Sequence, residues 1–203
     1  YKTEFDLSQK DINSHSLALE FQGIDTYSSI YLNDSLIETT DNMFIGKTVD
    51  IKSFAKLGKN NLYVKLFSPI NIGVKIHDSL GYDISSFNAN DLAEIGKVEG
   101  NKRVSVFTRK APYHYGWDWG PRLVTSGIWQ PINIKTWNYF NIEDLYIRQK
   151  SLNENASLVA EIELESYLEI DEIVSEIYVD NQKVSTDLVY INKGTNKIEI
   201  PFT

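Results

Sequence analysis

Alternation of apolar and polar residues constrains this chain more than any other feature. Leu17, Leu19 and Phe21 alternate with Ala18, Glu20 and Gln22. Leu62, Val64 and Leu66 alternate with Tyr63, Lys65 and Phe67, and Leu158, Ala160, Ile162 and Leu164 with Val159, Glu161, Glu163 and Glu165. A period of two places every second side chain on one face, which calls for pleated strands with one face buried. Tyr27–Leu32 reads as a further strand, ending at Asn33-Asp34, residues that tolerate the positive φ of a tight turn. Pro69 stops the strand that begins at Leu62.

Between residues 70 and 102 the periodicity fades among scattered Gly, Asn, Ser and Asp. A long functional or disordered loop is expected there, with a helical stretch at 91–95. Strands are expected again at 103–110 and 128–136, the second closing a first domain of residues 1–136. Residues 137–140 read as a connection to a second domain, 137–203. Within it, 173–179 and 183–188 look like a hairpin across Asp180-Asn181-Gln182, and 197–202 like a last strand. Short, evenly spaced strands of this kind suggest an immunoglobulin-like sandwich, which needs roughly 100 residues, so the second domain is expected to be truncated.

Chemistry concentrates in one segment, residues 109–121, Arg-Lys-Ala-Pro-Tyr-His-Tyr-Gly-Trp-Asp-Trp-Gly-Pro. Gly116, Gly120 and Pro121 disfavour a helix and make an exposed loop the natural reading. Trp117 and Trp119 flank Asp118. Flat aromatic faces pack on the C–H side of a pyranose ring, and a carboxylate accepts hydrogen bonds from hydroxyls. On residue chemistry alone the commoner arrangement is a partly buried tryptophan pair with Asp118 capping a turn.

The remaining composition mostly excludes functions. The chain has 203 residues, enough for one good core and part of a second. Its net charge of −8 argues against nucleic acid, because phosphate binding needs clustered Lys and Arg. With no cysteine there is neither thiolate chemistry nor a zinc–sulfur site. No apolar run approaches membrane-spanning length, and no signal peptide is evident. His15, His77 and His114 lack metal-ligand spacing, so no metal and no cofactor is expected. Glu161, Glu163 and Glu165 share one strand face and read as a solvated outer face rather than a catalytic pair. Asn33-Asp34-Ser35 and Asn155-Ala156-Ser157 fit the N-glycosylation pattern, which matters only in a eukaryotic secretory setting.

Residues 109–121, continuing through Gly127-Ile128-Trp129, resemble the R-K-A-x-x-x-x-G-W-D-W-G-P…G-I-W signature of the β-mannosidases of glycoside hydrolase family 2. Upstream blocks resemble that family in the same order: residues 21–27, Ile30-Tyr31-Leu32-Asn33, Asp41-Asn42-Met43-Phe44, Gly58-Lys59-Asn60-Asn61-Leu62 and Ser68-Pro69. The resemblance covers residues 1–136 well and the remainder loosely. It implies an all-β chain, a jelly-roll-like galactose-binding-type β-sandwich followed by an incomplete immunoglobulin-like β-sandwich. Family members carry a further strand and usually an export signal before the position of Tyr1, so the chain is expected to begin inside a domain.

The resemblance also implies a function. Family members are retaining glycosidases whose two catalytic glutamates, about 5–5.5 Å apart, lie on a (β/α)₈ barrel following the immunoglobulin-like domain. No βα alternation occurs in this chain, so no catalytic residue is expected in it. By resemblance the G-W-D-W loop reaches over the barrel mouth and completes the subsite for the terminal mannose. Asp118 would accept bonds from sugar hydroxyls, Trp117 and Trp119 would wall the pocket, and Arg109 would hold Asp118 or a neighbouring carboxylate. Trp129 and Trp137 are expected in the core or at the domain seam. The implied partners are a β-mannoside oligosaccharide or glycoconjugate and the barrel of the same protein, and the implied location is periplasmic, secreted or lysosomal. Two alternatives remain: a family 2 β-galactosidase or β-glucuronidase, whose relatives generally lack W-D-W-G-P here, and a free-standing carbohydrate-binding module.

Overall fold

Each alternating stretch finds a partner strand whose own apolar face turns the same way. The computed structural model describes residues 1–82, 84, 103–116, 120–152 and 155–203. The chain divides into two units, Tyr1–Thr136 and Trp137–Thr203. From the N-terminus the elements are β1 (Lys2–Leu7), α1 (Gln9–Asn13), β2 (Ser16–Phe21), β3 (Ile24–Asp25), β4 (Tyr27–Leu32), β5 (Ser35–Asp41), β6 (Lys47–Asp50), β7 (Gly58–Phe67), α2 (Pro69–Leu80), β8 (Gly127–Ile128) and β9 (Ile132–Trp137).

In the first unit a four-stranded sheet, β1–β7–β4–β5, presents Leu7, Leu62, Val64, Ile30 and Leu32 to one side. A three-stranded sheet, β6–β2–β9, presents Val49, Leu17, Leu19 and Phe21. These side chains join Ile24 and Ile51 in one buried cluster. Burying each stabilises the fold by about 1.5–3 kcal/mol before entropy is counted. The structure is all-β in its architecture, a sandwich with helices only at its margins.

The second unit contains β10 (Phe140–Leu152), β11 (Ala156–Ser166), β12 (Ile170–Val179), β13 (Gln182–Ile191) and β14 (Gly194–Phe202). They form a three-stranded sheet, β10–β11–β14, and a two-stranded one, β12–β13. Ala160, Leu164, Val189, Ile191, Ile200 and Phe202 form its core, with Leu158 and Ile162 packed against them. On the opposite face of β11, Glu161 pairs with Arg148 and Glu163 with Lys197 at 3.0 Å, so these carboxylates have structural partners.

The tight turns follow their sequences closely. Asn33 and Asp34 both take positive φ between β4 and β5, as do Asp180 and Asn181 between β12 and β13. A second kind of turn occurs in both units. Before β7, the fully buried Asn60 donates to the carbonyls of Lys56 (2.7 Å) and Gly58 (2.8 Å) and accepts from the Lys56 N–H (2.9 Å). Before β14, Asn196 donates to the carbonyls of Asn192 and Gly194 and accepts from the Asn192 N–H. Gly58 and Gly194 have φ of 76° and 98°, which an L side chain would strain. The Asn33 amide donates to Asn60 and to the Phe54 carbonyl, so this glycosylation-type asparagine is already engaged in the fold.

Several expectations need correction. Residues 69–80 form a helix where a loop was expected. Ser68, read as the end of a strand, is the N-cap accepting from Asn71 N–H, Pro69 occupies the first turn, and Gly81 closes the helix at φ 72°. Gly73 lets this helix approach Val104 so closely that a Cβ would lie 2.7 Å from the Val104 Cβ. Residues 103–110 are not a strand. A 3₁₀ turn at Ser105–Phe107 and one bridge at Arg109 replace it, because Val104 is buried under the helix instead of joining a sheet. The strand expected at 128–136 is broken by Pro131, which has no N–H for a ladder, into β8 and β9. Within 137–140 only Asn138 and Tyr139 lie outside the strands. The helical stretch expected at 91–95 lies outside the described residues.

Two measurements test this account. Asn60→Ala orphans two carbonyls and two donors, and should destabilise the first unit by about 3 kcal/mol in urea unfolding. A loss below about 0.5 kcal/mol, within the range of ordinary surface changes, would mean the turn is held by other means. Glu20 on β2 meets Lys135 and accepts from the Asn133 amide at 3.0 Å, both on β9. Chiefly through Lys135, its carboxyl falls from 4.5 to about 2. A depressed carboxylate stabilises the fold above its unfolded value and loses that contribution as pH falls toward the folded one. The melting-temperature gap between wild type and Glu20→Gln should therefore be full near neutrality and close on acidification between about pH 4.5 and 2. A gap independent of pH would refute the assignment.

Candidate functional site

The segment carrying the aromatic motif is tied to the first sandwich on both sides, through residues 22–27 and 41–43. On the incoming side, the Tyr27 hydroxyl donates to the Phe107 carbonyl at 3.0 Å. The Met43 N–H donates to the Arg109 carbonyl at 3.0 Å, and the Ala111 N–H points at the Met43 sulfur at 3.1 Å. Asn42 and Arg109 form a parallel bridge. The Arg109 guanidinium pairs with Asp41 at 3.1 Å, both side chains largely exposed. Such a pair contributes at most about 1 kcal/mol.

Lys110 does something different. Its side chain is fully buried, and its ammonium contacts the Asp25 carboxylate, itself 6 % exposed. Asp25 also accepts from the Thr26 hydroxyl, and the Asp25–Thr26 peptide is cis. The Thr26 carbonyl accepts from Thr40 Oγ1 (2.7 Å), which meets Ser28 Oγ at 2.7 Å. A buried charge pair thus continues into a chain of buried hydroxyls on β4 and β5, which satisfies polar groups that the apolar interior would otherwise leave costly.

On the outgoing side, Asp25 pairs through its backbone with Gly127, and Ile24 with Ile128. The Trp129 N–H donates to the Gly23 carbonyl at 3.1 Å, and the Gln22 N–H to the Pro131 carbonyl at 3.1 Å. Gly23 is required here: a Cβ would lie 2.6 Å from the Trp129 indole nitrogen.

Between these anchors a 3₁₀ turn at Pro112–Tyr115 leads to Gly116, whose φ is 108°. Tyr115 is fully buried beneath the buried Arg122, with the guanidinium 5.7 Å from the ring centroid. His114 stacks on Tyr113 and bonds Thr125 Oγ1 at 3.0 Å. Burial, then the charge of Lys110, push the His114 imidazole below its ordinary value, with Asp25 partly opposing. His114 and Tyr115 therefore support the segment as polar and aromatic packing.

Trp117, Asp118 and Trp119 lie outside the described residues. Arg109 takes Asp41, a neighbouring carboxylate, as its partner. Trp129 is not a core residue: it is 52 % exposed, because its ring lies over Gly23 at the end of the two-residue β8. Trp137 is half-buried and donates to the Tyr167 hydroxyl at 3.2 Å. Sequence reasoning missed Asp25 and Lys110 as a pair, although both lie in the blocks that carry the resemblance. Among the described residues, no group of three His, Cys, Asp or Glu side chains is placed to hold a metal ion, and no helix is long and apolar enough to cross a membrane.

Comparison with known proteins gives one consistent result. The chain is 27 % identical over 190 residues to β-mannosidase B of Thermothelomyces thermophilus, covering 91 % of this chain and 20 % of that protein. The chain thus spans about a fifth of the length of the curated relatives it matches. The crystal structure of the β-D-mannosidase from Dictyoglomus thermophilum superposes with a TM-score of 0.81 at 32 % identity, over all of this chain and 24 % of that one. A family 2 β-glucuronidase superposes at 0.64 with 16 % identity, over 98 % of this chain and 19 % of that one, a likeness of fold alone. The family model described as glycosyl hydrolase 2 galactose-binding domain-like matches residues 1–130. With that match spanning most of the chain, and covering every strand of the first sandwich except β9, this chain belongs to the galactose-binding-like domain family of the family 2 glycosyl hydrolases.

Proposed function

We propose that this chain is a non-catalytic region of a retaining β-mannosidase, whose complete protein hydrolyses terminal β-D-mannose residues from oligosaccharides or glycoconjugates. The observation that carries the reading is the likeness over the whole chain to the Dictyoglomus β-D-mannosidase, at twice the identity of the β-glucuronidase. In this reading the catalytic glutamates lie outside residues 1–203, and residues 137–203 begin an immunoglobulin-like domain. The chain supplies one wall of the substrate site. Asp118 accepts hydrogen bonds from hydroxyls remote from the reacting carbon, and Trp117 and Trp119 flank the sugar. Charge-assisted bonds of this kind contribute about 1.5–3 kcal/mol each when desolvated. Remote contacts hold the sugar in the geometry needed for attack.

The test uses the complete protein and aryl glycosides. Turnover of the β-mannoside well above that of the β-galactoside and β-glucuronide is expected. Asp118→Ala should lower kcat/KM for the β-mannoside by roughly 30- to 1000-fold, equivalent to about 2–4 kcal/mol. Its melting temperature should stay within a degree or so of wild type, since a loop carboxylate contributes little to folding. Wild-type kinetics, or an unfolded variant, would make Asp118 a structural turn residue.

A further inference from the structure

Asp25 touches the chain on both sides of residues 117–119. Its carboxylate meets the Lys110 ammonium on the incoming side, and its backbone pairs with Gly127 on the outgoing side. We propose that the buried Asp25–Lys110 pair is a positioning device: it fixes the separation and orientation of the two chain segments that carry the Trp117–Trp119 motif, and so sets where Asp118 stands against substrate. The inference rests on the function proposed above for Asp118.

Three observations support it. First, the pair is not a surface ornament, since the Lys110 side chain is fully buried and Asp25 nearly so. Two charges are kept from water only where geometry is well satisfied, and the surrounding hydrogen bonds of Thr26, Thr40 and Ser28 supply that geometry. Second, the residues flanking Lys110 are bonded separately to the sandwich through Phe107, Arg109 and Ala111. The backbone there is attached without the ion pair, so the pair adds direction rather than mere attachment. Third, Asp25 is held on both sides: its strand partner Gly127 is flanked by Ile128, which pairs with Ile24. A side chain seated on so fixed a backbone has little freedom to follow a moving Lys110. Both side chains are buried, so in this proposal they act through the chain segments they join.

A double replacement separates positioning from folding. Asp25→Asn or Lys110→Met alone strands a buried charge and should lower the melting temperature. Asp25→Asn/Lys110→Met removes both charges, keeps an acceptor for the Thr26 hydroxyl, and should melt near wild type. In the complete protein this double variant is nevertheless expected to lose about 10- to 100-fold in kcat/KM for an aryl β-mannoside, the penalty of small misplacement at a substrate contact. Added to Asp118→Ala, the same two replacements should cost little more, because losses that pass through one residue do not add. A folded double variant with wild-type kcat/KM, or full additivity with Asp118→Ala, overturns the proposal.

Hydrogen exchange provides a readout independent of substrate. In the double variant, amides of residues 111–116 and 120–126 should exchange faster while those of Ser16–Phe21 do not change. Unchanged exchange in the first two stretches overturns the proposal even if the complete protein hydrolyses some other glycoside, whereas failure to cleave β-mannosides with altered exchange removes only the assigned substrate.

Discussion

A lysine ammonium sealed inside a β-sandwich admits few arrangements. It must meet an anion, and that anion must be held by something that cannot retreat toward water. In this protein the anion is Asp25, seated on a two-residue strand whose other residue, Ile24, lies in one core with Leu17, Leu19, Phe21, Ile30 and Leu32. That placement sits beside the motif segment. The 3₁₀ turn after Ala111 leads into the burial of Tyr115 beneath Arg122, and the lowered basicity of His114 comes first from its own burial and then from the charge of Lys110. The apolar core makes the sandwich, and the ion pair orients what leaves it.

The strands that carry the core were legible in the sequence because their signal is local. Leu17-Ala18-Leu19-Glu20-Phe21 states its period within five residues, and Leu158 to Glu165 does so within eight. The tight turns at Asn33-Asp34 and Asp180-Asn181 were legible for the same reason. The helix Pro69–Leu80 was not. Its start signal, Ser68-Pro69, also ends strands, and its buried residues are Pro69 and Gly73, neither of which advertises an apolar stripe. What calls for glycine at position 73 is the close approach of Val104, 31 positions away in sequence but adjacent in space.

The candidate site divides along the same line. Its aromatic motif was legible as composition, and its kinship was legible as a series of blocks in order. The interaction that organises it links residues 85 positions apart. No period or spacing announces such a pair. An isolated aspartate between Ile24 and Thr26 and a lysine between Arg109 and Ala111 each look like ordinary surface charges until the fold buries both.

The turn built on Asn60 and repeated by Asn196 has a consequence of its own. In both units a side-chain amide supplies bonds that backbone would otherwise make, to groups two and four residues earlier in the chain. Most of the bonds that turn the chain there are local, and only in the first unit does a distant group, the Asn33 amide, add to those described. Each sandwich can fix the entry to one of its principal strands, β7 or β14, while the rest of the chain is still unfolded, so the search for long-range pairing begins from a corner already made. Two units with unrelated cores share this corner, which makes it a portable part: a five-residue element that specifies where a strand begins without specifying which sheet it joins.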